Sequence, residues 1–262
     1  MESVPDAQTI QMLADQIRMQ GYTILENALP LETLARIRER FDMLLEAKRA
    51  AHPANRGANR FQMHLPFEPP FADPLLYDNS TVLAILENLF GPDIILTYFA
   101  SDTPFPGSEY QSVHLDTRLP FPEAPFAAPV YSVVVNAPLV DFTEENGPLE
   151  LWPTTHLIAQ PRDMEALAKG LPSLRPLLKA GSLLLRDARL WHRGTPNHGS
   201  GPRPNLALVY SRGWFRFDSG PYPLLKIPRA AYDAFPDRLK RLFRYGILLE
   251  PDGHLTDIGQ NN

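Results

Sequence analysis

The sequence predicts a mainly β fold, a sandwich or barrel with helices packed around it. Three observations carry this. Short apolar segments follow one another from residue 93 to about 217, separated by Pro- and Gly-rich turns. Of 262 residues, 28 are proline, about twice the usual ~5%. That abundance argues against a helical bundle and for strands joined by stiff loops. Long amphipathic stretches of helical period are concentrated before residue 91 and after residue 228.

The elements follow in order. Residues 6–20 place Ile10, Leu13 and Ile17 on one helical face, with Asp6 as N-cap and Gly21 as terminator. Tyr22–Leu25 reads as a short strand. Pro30 opens a second helix with Leu34, Ile37, Phe41, Leu44 and Leu45 on one face. Residues 51–74 hold five prolines and no clear period, and read as an ordered flap over a pocket. Residues 80–90 form a helix capped by Ser80 and closed by Gly91-Pro92. Strands are expected near 93–100, 110–115, 130–136, 148–152, 182–186 and 205–214, with a helix inside 161–178. The tail from 228 is helical and broken or offset at Pro236.

The chain is expected to form one domain over 1–262. It would comprise N-terminal helices (6–50), lid loops (51–74 and 101–126), a β core (about 93–217) and a helical tail (228–262). Composition narrows the function. A formal net charge of −5 suggests no nucleic-acid or anionic-membrane surface. No apolar run reaches the ~18–20 residues of a membrane span. The first residues are polar and acidic, unlike a secretory signal, so a cytoplasmic location is expected. There is no cysteine. A transition-metal site must therefore use histidine and carboxylate.

Two stretches supply such a site. Gln111-Ser-Val-His114-Leu-Asp116 places a histidine and an aspartate two residues apart, so in a strand both face one side while Leu115 points away. His192 must come from another strand. Two histidines and one carboxylate leave three metal positions open, the arrangement of non-haem iron(II) oxygenases. Alone, His-X-Asp also fits an ordinary surface pair. Residues 192–203 shift that balance. After His192 come Asn197 and the turn-forming NHGSGP, which folds the chain back. Arg203 then enters the next strand, facing the same barrel mouth. A buried guanidinium there needs an anion, and an acidic cosubstrate answers.

On these residues the chain resembles the phytanoyl-CoA dioxygenase family of iron(II)/2-oxoglutarate-dependent oxygenases. The matching pieces, within about 20–215, are GYTILENAL and its following helix, HLD at 114–116, ENGPLELWPTTH at 145–156, and WHRGTPN…R at 191–203. The resemblance implies a double-stranded β-helix (jelly roll, cupin-like) with flanking helices. It implies iron(II) on His114, Asp116 and His192, with 2-oxoglutarate held by Arg203. Gln111, Thr195 and Asn136 are further candidates for cosubstrate contact. Two departures stand out. Leu115 replaces a frequent glutamine, and Pro153-Thr-Thr-His156 replaces a Pro-Gly-Ser-His corner, where His156 is read as structural. Asp116 argues against halogenation, which needs that carboxylate replaced.

The implied reaction consumes O2 and 2-oxoglutarate, releases succinate and CO2, and hydroxylates an unactivated C–H bond. Desaturation, epimerisation and ring formation use the same chemistry. The substrate is expected to be a medium-sized small molecule, preferably a secondary metabolite, partly apolar and carrying an acidic or carbonyl group. Arg118, Phe61, His64 and Phe105 are the leading candidates to meet it, with Arg56, Arg60, Phe121 and Phe126 beside them. Two other classes compete. A non-catalytic jelly-roll binding protein would bind metal and 2-oxoglutarate weakly or not at all. A zinc hydrolase would use the same triad without O2 and leave Arg203 without a role.

Overall fold

The computed structural model describes residues 4–160, 163–216 and 225–258. The chain opens with helix α1 (Ala7–Gln20). Asp6 caps it by accepting from the Thr9 amide, and Gly21 ends it in the left-handed region at φ 90°. Strand β1 (Tyr22–Leu25) leads to α2 (Leu31–Ala51), β2 (Arg60–His64), α3 (Pro74–Tyr77) and α4 (Ser80–Phe90). The barrel strands follow as β3 (Ile94–Pro104), β4 (Ser132–Pro138), β5 (Leu149–Leu151), β6 (Leu183–Asp187), β7 (His192–Gly194) and β8 (Asn205–Arg212), with α5 (Met164–Ala168) between β5 and β6. Strand β9 (Lys226–Pro228), helices α6 (Arg229–Asp233) and α7 (Asp237–Leu242), and strands β10 (Ile247–Leu249) and β11 (Leu255–Asp257) complete it.

Six strands form one antiparallel sheet in the order β1-β6-β4-β8-β3-β2. A smaller sheet is built on β5 and β7. Bridges from His114 to His192 and from Leu151 to Leu174 widen it on both sides. These two sheets form a jelly roll. Strand alternation divides the residues of the large sheet. Val133 and Val135 of β4, Leu183 and Leu185 of β6, and Leu206 and Leu208 of β8 face the helices and join Ile17, Ile37, Phe41 and Ile85 in the main core. Each such side chain contributes about 1.5–3 kcal/mol by leaving water. The opposite row carries Ser132, Val134 and Asn136 of β4, Arg186 of β6, and Asn205, Ala207 and Val209 of β8, and it lines a chamber between the sheets.

Several expectations need correction. The stretch 51–74 is not all loop, because Arg60–His64 pairs with β3 as the sheet's edge strand. Strand β3 runs to Pro104, so the second loop begins later than residue 101. Residues 110–115 form no strand and meet β7 through the bridge at His114 and the Gln111 amide, which donates to the Gly194 carbonyl at 3.0 Å. Helix α4 is capped by Asn79, which accepts from the Val82 amide, and not by Ser80. The tail does break at Pro236, between α6 and α7. Yet it also carries a three-stranded sheet, β11-β10-β9, that helical periodicity gave no reason to expect.

Candidate active site

His114 and His192 lie directly opposite one another. Each donates its backbone amide to the other's carbonyl at 3.0 Å, and their rings are 4.3 Å apart. This pairing, set by the small sheet, fixes two ligands at once. The His114 Nδ1 lies 2.8 Å from the Ser112 carbonyl, and the His192 Nδ1 lies 2.9 Å from the Leu190 carbonyl. A carbonyl only accepts, so each Nδ1 carries the proton and each Nε2 keeps its lone pair for a metal. The Asp116 carboxylate completes the group, with Oδ1 3.6 Å from the His114 Nε2 and Oδ2 3.3 Å from the His192 Nε2. The three ligand atoms lie within 4.8 Å of one another, a set able to hold one ion.

The protonation states of the ligands suit a metal. Burial, with the nearby Arg186 guanidinium, pushes His192 down to about 4, so it is neutral at pH 7. Burial pushes the Asp116 carboxyl up, but attraction to His192 and Arg186 outweighs it and holds the group well below the usual carboxylate range. Arg186 is the lasting charge of the two, because His192 is itself neutral.

Arg203 lies two residues before β8, behind the chamber wall that Asn205, Ala207 and Val209 line, with its amide donating to the Pro104 carbonyl at 3.0 Å. It is fully buried, and none of its three guanidinium nitrogens has a partner. The ring of Phe142 covers one face at 4.4 Å. Burial pushes its pKa down to about 9, with Asp102 offsetting part of the effect, so it remains a cation at neutral pH. Ser101 Oγ, Thr103 Oγ1 and Asn205 Oδ1, on the paired ends of β3 and β8, are also buried without partners. Buried polar groups are normally paired; the Arg203 nitrogens and the two hydroxyls are donors a carboxylate can use, whereas Asn205 Oδ1 and the likewise unpartnered Asp102 Oδ1 are acceptors.

The turn that brings Arg203 there is built as the sequence suggests. The Asn197 side chain accepts from the Gly199 amide at 2.9 Å and donates to the carbonyls of Pro104 and Gly201. Glycine is required at two nearby points. A Cβ on Gly194 would meet the Arg60 guanidinium at 2.5 Å, and one on Gly147 would meet the Pro196 carbonyl oxygen at 2.5 Å.

The other candidates divide. Gln111 lines the chamber, its Oε1 accepting from the Gly194 amide at 2.9 Å. Asn136 also lines it, its Oδ1 accepting from Arg186. Arg118 lies on the chamber wall, and so does Leu115, which was expected to point away. Residues 115–118 belong to no strand, so alternation does not govern them. The Thr195 hydroxyl is buried and donates to the Pro148 carbonyl at 2.7 Å, so it shapes the 147–148 turn and does not line the chamber. Phe61 and Phe105 pack edge to face at 5.5 Å in the main core and do not line the chamber. Phe121 and Phe126 are solvent-exposed. His64 lines an adjoining cleft. Arg60 is buried and paired with Asp102 at 2.7 Å. His156 bonds the Arg18 carbonyl at 3.0 Å, which gives it a structural place between the small sheet and α1.

Arg186, Tyr98, Ser101 and Asn205 line the chamber, and sequence reasoning did not find them. The run Leu183-Leu-Leu-Arg-Asp187 reads as one apolar strand, and Arg186 hides within it. The available signal was a charge in a run apolar on both faces, which must find a partner inside.

A jelly roll holding a His-Asp-His site with three positions left open defines a mononuclear metal oxygenase by class. The model of the phytanoyl-CoA dioxygenase (PhyH) family matches residues 17–205. The chain belongs to that family and is an iron(II)/2-oxoglutarate-dependent oxygenase by class. Solved structures share the fold. The non-heme alpha ketoglutarate dependent epimerase SnoN from nogalamycin biosynthesis is 20% identical, with a TM-score of 0.60 over 79% of this chain and 84% of its own. EctD from S. alaskensis, solved with bound Fe, is 21% identical, with a TM-score of 0.59 over 83% and 80%. AviO1 from Streptomyces viridochromogenes Tue57 is 16% identical, with a TM-score of 0.63 over 85% and 100%. Among the described residues no helix is long and apolar enough to cross a membrane.

Proposed function

We propose that the chain hydroxylates an unactivated C–H bond of a medium-sized, acidic small molecule. Iron(II) would be held by His114, Asp116 and His192, and 2-oxoglutarate would be anchored on Arg203. The observation that carries this reading is Arg203, a fully buried cation with three partnerless nitrogens, two residues before the chamber-lining Asn205. Such a group is costly unless an anion comes to it. When bound, iron and cosubstrate supply with O2 the oxidising power, and succinate and CO2 leave.

The protein's own part is position and exclusion of water. The Nδ1–carbonyl bonds hold both imidazoles as neutral Nε2 donors. Asn136 and Gln111 are pinned at the chamber wall by Arg186 and Gly194. The loop after β3 and the stretch before β2 are the proposed lids.

The space bears on the substrate. The metal chamber measures about 270 Å³, below the ~300–1,000 Å³ of typical ligand pockets, and the cosubstrate must share it. A second cleft of about 640 Å³ adjoins it, and Arg56 and Gln62 line both. The cleft offers Leu44, Met63 and Leu65 as apolar wall and Lys48, Arg56 and His64 as polar groups, with no carboxylate in its lining. Burial, Arg56 and Lys48 all push His64 below its ordinary value, which reports a positive field. A substrate spanning both spaces would place its reacting carbon at the metal and its acidic group beside Lys48 and Arg56.

The test uses anaerobic protein loaded with iron(II) and 2-oxoglutarate. We expect a weak visible charge-transfer band for the wild type and its loss in Arg203→Ala. Aerobic succinate release should then rise with acidic members of a substrate panel. A protein that holds iron and gives no band refutes the reading in favour of a zinc hydrolase or a non-catalytic binder.

A further inference from the structure

Arg186 touches the metal site without being one of its ligands. Its side chain is 4% exposed. It reaches inward from β6. Its Nη2 donates to Asp116 Oδ2, and its Nε donates to Asn136 Oδ1 at 3.0 Å. Its Nη1 lies 3.4 Å from the His192 Nδ1. That nitrogen already donates to the Leu190 carbonyl, so it offers Nη1 no lone pair. A guanidinium has thus been built against one oxygen of the only carboxylate in the triad. A cation entering there meets a fixed positive charge on a buried side chain, where repulsion is screened less than in bulk water. An anion entering beside the metal relieves it.

We propose that Arg186 is a positioning residue acting through Asp116. It takes one lone pair of Oδ2 and fixes how the carboxylate is presented to a metal. Its charge makes the site a poor cation site until the dianionic cosubstrate arrives. Arg186 therefore adds to the coupling between metal and 2-oxoglutarate that chelation itself provides, each strengthening the other by the same factor. The inference rests on the iron and 2-oxoglutarate reading of the same site.

The test measures binding, not turnover. Mn(II) binding to the full-length protein is followed by the electron paramagnetic resonance of the free ion, with and without 2-oxoglutarate. Wild type, Arg186→Met, Arg186→Gln and Arg186→Lys are compared. We expect Mn(II) alone to bind Arg186→Met and Arg186→Gln about tenfold more tightly than wild type. The tightening caused by 2-oxoglutarate should shrink by about the same factor, and Arg186→Lys should restore most of it. The glutamine variant keeps a donor for Asp116 without the charge, and serves if the methionine variant does not fold. Unchanged Mn(II) affinity and unchanged coupling in a folded neutral variant would overturn the proposal. Failure of the wild type to bind Mn(II) even with 2-oxoglutarate present would instead sink the iron reading on which it rests.

Discussion

The barrel chamber and the corner at residues 153–156 both bury polar groups, and they differ in what is left unpaired. In the corner, the Thr155 hydroxyl donates to the Trp152 carbonyl at 2.7 Å and accepts from the Trp191 amide at 3.0 Å. The Thr154 amide donates to the Gln20 carbonyl at 3.0 Å, and His156 is tied to the Arg18 carbonyl. These bonds lock the small sheet to the C-terminus of α1. At the chamber, the Ser101 hydroxyl on its wall and, outside its lining, Arg203 and the Thr103 hydroxyl have no partners. Polar groups that satisfy one another fix a shape, while those left open at a cost in stability mark where a ligand supplies the missing half.

Substitutions can separate the two cases. The largest effect is expected at Arg203. Two charge-assisted bonds of about 1.5–3 kcal/mol each imply that Arg203→Met weakens 2-oxoglutarate binding by about 100-fold or more. The same change removes a buried unpaired charge, so the ligand-free protein should gain about 1 kcal/mol or more in denaturant unfolding. Lost stability in the apoprotein would mean that Arg203 is a structural residue. Asp116→Ala should act in the opposite sense. It strands the Arg186 guanidinium, and breaking a buried pair costs about 3–5 kcal/mol. Because Asp116 is 30% exposed, we expect about 2 kcal/mol after solvent screening. A ligand-free Asp116→Ala protein as stable as wild type would remove the distinction between a paired and an open arginine.

Legibility from sequence follows the same division. His114, Asp116, His192 and Arg203 were readable because their spacing has few other uses and no cysteine competes for the metal. The strands β4, β6 and β8 were readable as apolar runs between turns. Arg186 was not, because fully buried strands mask alternation: both faces of β6 are covered, and a charge inside the run has no sequence partner to announce it. Phe61 and Phe105 misled for a related reason. Aromatics in proline-rich stretches resemble a pocket wall until edge pairing with β3 turns Phe61 into the core. Thr195 sits where a cosubstrate contact was plausible, but its hydroxyl is committed to a carbonyl 47 positions away in the chain. The second cleft depends on α2 lying beside β2, a tertiary fact with no local signature.

The corner allows two smaller tests. Thr154 has φ 69°, in the left-handed region where a β-branched residue is strained. Its side chain is exposed and makes no capping bond. Thr154→Gly should therefore stabilise the protein by about 1 kcal/mol, net of glycine's greater freedom when unfolded, with no change in 2-oxoglutarate affinity. The smallest effect is expected from pH. The His156 Nδ1 is the corner's one buried atom without a partner, lying where a Cβ on Gly21 would meet it at 2.7 Å. Burial lowers its pKa below 6.5, although Asp187 opposes the shift. The unfolded chain therefore binds the proton first, and stability falls as pH drops below about 6.5. His156→Gln has no proton to take up, so its stability between pH 7 and 5 should vary less than that of wild type. Parallel curves would place the acid sensitivity elsewhere and leave the corner a closed hydrogen-bonded unit with no titrating member.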